Sequence, residues 1–394
     1  MPGKDPYEDL CSFYEFMMGP LPQRDDFKRT LQETVTPDEL RVFFLLPLTG
    51  RSTLDRLRKK ARMPDEELLA HLNRLAAEGF VMVYTAAGET VYERGNPVFM
   101  TEQQVRKPED TPRRAFYARF FNAILNGEVT IAAPTKTPYY RVLPFEATLT
   151  GSTDAAEDRA EGPKGRVIPI NVDIPDPRAV LPIDVVSEMI RRDARLIGVA
   201  DCYCRRTKRL VGEGCDHPLQ TCLVFNKIAE TLIEHGTARR ISYDEAMAII
   251  WEAEERGLVH NVDNCEGVIT NVCNCCPCCS ILLRSWQRGM TNADSPSRYR
   301  VVLTADRCAL CLTCVERCPS GARSVQDGRM TVDERLCLGC GLCVTACALG
   351  ANQMALRETQ AKLSRTSEEL NRKIGREALV GIARDRIRAV LSRS

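Results

Sequence analysis

The chain has 394 residues, of which 44% are hydrophobic and 27% charged, with a formal net charge of +1. This length predicts two to four domains, and the near-neutral charge argues against a general electrostatic affinity for nucleic acid. The 19 cysteines are unusually many, whereas four histidines leave little room for an acid–base mechanism based on imidazole. Residues 1–20 lack the pattern of a secretory signal, and no apolar run approaches the length of a membrane span. We therefore expect a cytoplasmic protein whose cysteines bind clusters rather than form disulfides.

The N-terminal part predicts a helical arm over residues 1–37 and a small domain over residues 38–95. In that domain, apolar residues recur at helical spacing over 54–61 and 68–75, and two alternating segments flank a turn that contains Gly88. This order of elements resembles the winged-helix domains of MarR-type regulators.

The second of these helices would begin with Asp65, Glu66 and Glu67. Carboxylates suit a helix N-terminus, but they would face the phosphates of DNA poorly. We predict a structural or protein-docking role for this domain, with DNA binding as the alternative.

Residues 96–180 form a predicted connecting region in which we find no chemistry. A helix is predicted over 113–125, with Phe116, Phe120 and Phe121 on its apolar side. A polar loop over 150–165 and a proline-punctuated extended segment over 167–177 follow.

Residues 181–298 form a predicted cysteine-rich domain that is helical in its regular parts. Helices are predicted over 182–192, 224–235 and 242–257, so the cysteines should lie in loops and at helix ends. Cys222 would precede a helix N-terminus, whose free N–H groups can donate to an anionic cluster. The candidate ligands of one or two further iron–sulfur clusters are Cys202, Cys204, Cys215, Cys222, Cys273, Cys275, Cys276, Cys278 and Cys279.

Three arrangements of these candidates remain open. One additional [4Fe–4S] cluster could use a subset such as Cys204, Cys215, Cys222 and one of the cysteines at 273–279. Ten cysteines between 202 and 279 also suffice for two clusters, and adjacent cysteines could instead bridge the irons of a non-cubane cluster. A structural zinc site with spare thiols is a further alternative.

Two resemblances accompany this region. The adjacent cysteines resemble the paired-cysteine motif of heterodisulfide reductases, and residues 201–281 resemble an uncharacterised iron–sulfur family of anaerobes. The basic run at 205–209 is expected to be solvated, with balancing of cluster charge or docking of an acidic partner as the alternatives.

Eight cysteines nearer the C-terminus form two copies of one pattern, offset by 29 positions. The copies are Cys308-x2-Cys311-x2-Cys314-x3-Cys318-Pro319 and Cys337-x2-Cys340-x2-Cys343-x3-Cys347-Ala348. Three cysteines of each copy can hold three corners of a [4Fe–4S] cluster, and the fourth reaches the other cluster. Two zinc sites are the alternative, but zinc favours two CxxC pairs at longer separation.

This spacing over residues 299–356 resembles the bacterial two-cluster ferredoxins. Cluster I is expected on Cys308, Cys311, Cys314 and Cys347, and cluster II on Cys337, Cys340, Cys343 and Cys318. The pattern departs at Ala348, where the first copy has Pro319. Residues 357–394 form a basic tail with ten basic and five acidic residues, which we expect to be a helix packed on the protein or on a partner subunit.

The predicted fold class is therefore α+β and multidomain: a winged helix, a cysteine-rich helical middle domain and a ferredoxin-like 2[4Fe–4S] module with a helical tail. The chain has neither a GxGxxG nor a P-loop motif, so we expect no nicotinamide or flavin site of its own. The leading hypothesis is an electron-transfer subunit of an anaerobic redox complex, serving an electron donor protein and a partner oxidoreductase. The alternatives are a redox-sensing regulator that binds DNA and an oxidoreductase with a substrate-binding cluster in the middle domain.

Overall fold

The computed structural model describes residues 5–48, 50–86, 89–109, 111–128, 135–150, 185–290, 292–359 and 362–391. Ala87 and Gly88 of the predicted hairpin turn lie outside these residues. So do the predicted loop at 150–165, beyond its first residue, and the predicted extended segment at 167–177.

The N-terminal part consists of helices around a small antiparallel sheet, with strand order β1-β3-β2. Its elements are α1 (Pro6–Met18), α2 (Arg24–Thr34), α3 (Pro37–Leu45), β1 (Arg51–Thr53), α4 (Leu54–Ala61), α5 (Asp65–Ala77), β2 (Val81–Ala86) and β3 (Glu89–Arg94). A capping box of Thr36 and Glu39 starts α3, which satisfies the free N–H groups of its first turn. The two helices and the hairpin predicted from the apolar spacing are confirmed.

Two further helices, α6 (Pro97–Arg106) and α7 (Pro112–Asn126), close the N-terminal core. The ring of Phe120 on α7 lies 4.9 Å from that of Phe27 on α2. Phe116, Phe120 and Phe121 are buried, which confirms the helix predicted over 113–125. The residues of the predicted N-terminal arm therefore share one hydrophobic core with the helices that follow them.

The middle of the chain forms a seven-stranded sheet with strand order β10-β4-β8-β9-β6-β5-β7. All its pairs are antiparallel except β10 with β4. The strands are β4 (Tyr140–Leu143), β5 (Ile197–Asp201), β6 (Gln220–Phe225), β7 (Ala238–Ile241), β8 (Val259–Asp263), β9 (Asn271–Cys275) and β10 (Asp294–Ser295).

The prediction that the regular parts of the middle domain are helical is therefore wrong, because this domain is built on a seven-stranded sheet. The run that ends at Phe225 is a short apolar segment, and periodicity alone does not separate a buried strand from a helix there. The helix begins only at Asn226, and Cys222 lies inside β6 rather than in front of a helix. Cysteine packs as a small hydrophobic residue, so strands such as β9 can carry it on a buried face.

Helices cover this sheet and give it a hydrophobic core of its own. They are α8 (Glu146–Thr150), α9 (Val186–Asp193), α10 (Tyr203–Leu210), α11 (Asn226–Glu234), α12 (Tyr243–Glu255) and α13 (Ile281–Gln287). Ser242 caps α12, since its Oγ accepts from Glu245 N at 3.1 Å. The helix predicted over 182–192 is found as α9, although residues 182–184 lie outside the described residues.

The C-terminal module repeats one unit twice. Its elements are β11 (Tyr299–Leu303), α14 (Thr313–Glu316), β12 (Arg323–Gln326), β13 (Arg329–Val332), α15 (Leu342–Thr345) and β14 (Asn352–Leu356). The helices α14 and α15, which start 29 positions apart like the cysteine motifs, pack against each other. Strand β11 pairs with β14, and β12 pairs with β13.

The tail contains the long helix α16 (Ser367–Leu391), which confirms the predicted helix. Glu377 fixes it to the protein by accepting from Lys136 N at 2.7 Å and Thr137 N at 2.9 Å. Leu370, near the start of this helix, is buried. Among the described residues, no helix combines the length and the apolar character that crossing a membrane would need.

Candidate metal centres

A cavity in the middle domain is lined by six cysteines, and we call it the middle cavity. They are Cys202, Cys204, Cys222, Cys273, Cys275 and Cys276. Cys202 caps α10 and Cys204 lies in its first turn, whereas Cys222 comes from β6. Cys273 and Cys275 alternate on β9 and so point to one side of the sheet.

Strand register explains how these cysteines meet. Leu223 pairs with Val272, and Val224 with Asn271, in the antiparallel β6–β9 ladder. The next step of this ladder places Cys222 beside Cys273, 51 residues later in the chain. A hydrogen bond from the Cys273 thiol lowers the pKa of Cys222, and the nearby Arg106 lowers it further.

Two buried guanidinium groups border the middle cavity. Arg106 Nη2 lies 3.5 Å from Cys222 Sγ, and Arg106 Nε donates to Asp201 O at 3.0 Å. Arg205 is fully buried, and its Nη1 donates to Asn274 O at 2.9 Å. A hydrogen bond with Cys204, together with Arg205, lowers the pKa of Cys202 to about 6. These cations favour thiolates, the form that binds metal.

The expectation that the basic run at 205–209 is solvated is therefore wrong for two of its members. Arg205 is inaccessible and Lys208 is 3% exposed. Lys208 Nζ lies 2.6 Å from Glu213 Oε2. The helix α10 places these two side chains on its buried face, and only Arg209 of this run is exposed.

Sequence reasoning missed Arg106, because the connecting region gave no sign of chemistry. The contact between Arg106 and Cys222 spans 116 positions and exists only once α6 has packed against the sheet. A basic residue that ends a helix is common, so no local signal distinguishes it.

The second group, which we call the cysteine tetrad, consists of Cys215, Cys276, Cys278 and Cys279. All four Sγ atoms lie within 4.8 Å of one another. Cys279 Sγ lies 3.6 Å from both Cys215 Sγ and Cys278 Sγ. Cys276 and Cys279 are buried, and Cys278 is exposed.

The structure thus divides the nine candidate cysteines differently from the subset suggested above. Cys215 lies with the cysteine tetrad and not with Cys204 and Cys222. Cys276 belongs to the tetrad and also lines the middle cavity. Cys265, outside the candidates, is buried at a bridge to Ser364.

A second cavity lies in the C-terminal module, and we call it the module cavity. It is lined by Cys337, Cys340 and Cys343 of the second motif and by Cys318 of the first. Burial raises the pKa of Cys340, and the neighbouring Cys343, Cys318 and Cys337 raise it further. The fourth cysteine of the first motif therefore lies with the first three of the second.

The first motif is more exposed than the second. Cys311 is exposed and its Sγ lies 3.5 Å from Thr313 Oγ1. Leu310 and Leu312, between the cysteines, are 40% and 44% exposed. Both have positive φ, as do Gly339 and Gly341 at the equivalent positions of the second motif. Cys347 follows α15, and its Sγ accepts from Ala351 N at 3.3 Å.

The second motif packs directly against the middle domain. Leu338 and Leu342 share a hydrophobic core with Cys275 and Trp286, and Cys273 and Cys340 pack against that core. The cysteine loops of the two regions are therefore neighbours.

A polar contact around the buried Glu254, which we call the Glu254 junction, joins the same two regions. Thr345 Oγ1 donates to Glu254 Oε1 at 2.7 Å, and Arg317 Nη2 donates to Glu254 O at 2.5 Å. Glu254 Oε2 lies 3.3 Å from His260 Nε2. His260 Nδ1 in turn lies 2.6 Å from Asn274 Oδ1, between Cys273 and Cys275 in sequence.

The comparisons with known proteins agree with this geometry in one region. Neither curated proteins nor solved structures gave a significant match to the chain. Residues 300–348, however, match the family model described as a 4Fe-4S dicluster domain. This part of the chain is therefore similar to a ferredoxin-like iron–sulfur module, and the match indicates at least one [4Fe–4S] cluster.

Proposed function

We propose that the protein relays single electrons between a donor protein and a partner oxidoreductase, as a subunit of an anaerobic redox complex. Iron–sulfur clusters would supply the one-electron chemistry. The observation that carries the proposal is the packing of the second ferredoxin-type motif against the middle cavity, through Leu338, Leu342 and Cys275. Two sets of thiols that share a core suit a relay better than two independent sites.

In the C-terminal module, the ligand sets would be crossed between the two motifs. Cluster I would be held by Cys308, Cys311, Cys314 and Cys347, and cluster II by Cys337, Cys340, Cys343 and Cys318. The module cavity supports the second set, since its four cysteines come from both motifs.

A third cluster would occupy the middle cavity. Four of Cys202, Cys204, Cys222, Cys273 and Cys275 would hold it, and the donor set of thiolates suits iron–sulfur clusters. Arg106 and Arg205 would offset the negative charge of the thiolates and the cluster, which are buried together. The remaining cysteine of the five would stay free or exchange with one of the ligands.

A count of iron and acid-labile sulfide on anaerobically purified protein tests this proposal. We expect about twelve irons per chain, and a Cys222→Ala variant should retain about eight, at four per cluster. Titration with dithionite should show one electron fewer in this variant. Cys11→Ala, which removes a fully buried cysteine of the N-terminal core, is the matched control and should lose neither. About eight irons in the wild-type protein would show that the middle cavity holds no cluster.

We further propose that residues 38–95 form a winged-helix domain used for docking. The element order α3-β1-α4-α5-β2-β3 with a three-stranded sheet supports this. Strand β2 packs against α11, where Thr231 donates to Val83 O and Lys227 Nζ lies 4.3 Å from the Tyr84 ring centre. The β2–β3 hairpin therefore already docks on another part of the same chain, helix α11.

The regulator hypothesis fits the charges of this domain less well. Helix α5 begins with three acidic residues, and Arg58 of α4 lies 2.8 Å from Asp55 and 3.0 Å from Asp65. We therefore expect no sequence-specific shift of genomic DNA fragments by the cluster-loaded protein. A specific, salt-sensitive shift would favour a redox-sensing regulator instead.

A further inference from the structure

We infer that the cysteine tetrad is a mononuclear zinc site, separate from the iron–sulfur clusters proposed above. The ion would be held by Cys215, Cys276, Cys278 and Cys279. Its role would be structural, since Zn²⁺ has no redox chemistry.

The distances between the sulfur atoms carry this inference. Four thiolates around one Zn²⁺, each with a bond of about 2.3 Å, place neighbouring sulfurs about 3.8 Å apart. The observed separations from Cys279 Sγ to Cys215 Sγ and to Cys278 Sγ are both 3.6 Å. No Sγ pair of the tetrad exceeds 4.8 Å.

A cubane cluster does not fit these separations. Each of its thiolates binds a different iron at a separate corner, so the sulfurs stand roughly 6 Å apart. Among the described residues, the tetrad is the one group of cysteines whose sulfurs all approach within 4.8 Å. The module cavity lies in the part of the chain that matches the dicluster family. The sulfur atoms of its four cysteines are not all within 4.8 Å of one another.

The chain around the tetrad is arranged to hold four ligands without a cluster. Arg209 donates from Nη2 to Cys215 O at 3.0 Å and to His217 O at 2.6 Å, which fixes the loop that carries Cys215. Arg284 Nη1 donates to Cys278 O at 3.0 Å and fixes the other loop. A tetrahedral ion with four protein ligands would cross-link these two loops, which are 61 positions apart.

The position of Cys276 links the zinc site to the wall of the middle cavity. This residue follows Cys275 directly and lines the middle cavity as well as the tetrad. An ion on Cys276 would therefore hold the end of β9, and with it Cys273 and Cys275, at the cavity wall. Zinc would keep this wall in place without taking part in electron transfer.

Element-specific measurements on the whole protein test the inference. We expect one zinc per chain by mass spectrometry of anaerobically purified protein, in addition to its iron. Zinc-edge X-ray absorption should show four sulfur ligands at about 2.3 Å. Since this second measurement uses the wild-type protein, it does not depend on the folding of any variant.

Two variants separate this inference from the iron–sulfur proposal. Cys215→Ser should lose the zinc and keep the cluster iron, whereas Cys222→Ala should lose about four irons and keep the zinc. Cys11→Ala should keep both. A loss of about four irons from Cys215→Ser, a single iron in place of zinc, or zinc bound through nitrogen or oxygen would each overturn the inference.

Discussion

The two cysteine motifs of the C-terminal module should respond differently when alanine replaces the residue at equivalent positions, Gly339 and Leu310. Gly339 has φ +65°, and a Cβ there would lie 2.9 Å from the Tyr299 carbonyl carbon and closer still to its oxygen. Carbon atoms in contact normally lie about 3.5 to 4.0 Å apart. Leu310, the equivalent residue of the first motif, has φ +55° and already carries a Cβ at a site that is 40% exposed.

We therefore expect Gly339→Ala to damage the module and Leu310→Ala to leave it intact. The left-handed conformation costs about 1–2 kcal/mol for a residue with a Cβ. Displacing the Tyr299 carbonyl also disturbs the start of β11 and the bond from Ser297 Oγ to Gly339 O, which is worth about 1 kcal/mol. Together these two terms lower the free energy of unfolding by about 2–3 kcal/mol.

Anaerobic urea unfolding measures this loss, and iron analysis shows whether the module cavity still binds its cluster. Leu310→Ala removes side-chain atoms but adds no overlap, so its unfolding midpoint and iron content should match those of the wild-type protein. Equal stability and equal iron content in the two variants would refute the argument from backbone overlap.

Three other changes test the remaining contacts. Arg106→Met should lower the reduction potential of the cluster proposed for the middle cavity by on the order of 100 mV, because it removes a positive charge 3.5 Å from Cys222 Sγ. This magnitude takes the charge at roughly 6 Å from the cluster and an effective dielectric constant of about 20. Arg119→Met, at an exposed site, is the control in a potentiometric titration. Glu254→Ala should destabilise the Glu254 junction by about 1–3 kcal/mol in urea unfolding, and Glu254→Gln, which keeps an acceptor for Thr345, should lose less. Burial raises the pKa of Asp263 from 3.8 to about 6, so between these pH values the folded state holds a proton on Asp263 that the unfolded state has lost. The free energy of unfolding should therefore fall by up to about 3 kcal/mol as the pH rises from about 4 to about 6. Asp263→Asn should abolish this fall in unfolding curves measured across that range.

The sequence predicted local features well and long-range ones poorly. The ferredoxin-type motif is local, because three ligands within seven residues already specify a loop around a cluster. The middle cavity depends instead on the β6–β9 register, which brings Cys222 to Cys273. Its strands are short, and cysteine gives no helical or alternating pattern that separates a strand from a loop.

The cysteine tetrad shows the same limit in another form. Cys276, Cys278 and Cys279 lie within four residues of one another, so their clustering is visible in the sequence. The sequence does not show which distant thiol completes the group, because Cys215 lies in an irregular segment held by Arg209. Two cysteines closer in sequence, Cys222 and Cys265, lie in strand β6 and at a bridge to the tail.

The unequal burial of the two motifs would set the spatial order of the centres in the proposed relay. Leu338 of the second motif is 2% exposed and packs with Cys275, and a Cβ on Gly341 would lie 2.5 Å from Thr148 Cβ of α8. The first motif instead presents Leu310 and Leu312 to solvent. In the proposed relay, an external protein would therefore exchange electrons at the exposed motif, and a cluster in the middle cavity would exchange them with the buried motif. The two halves of the module share one cysteine spacing, but one half faces solvent and the other faces the interior of the chain.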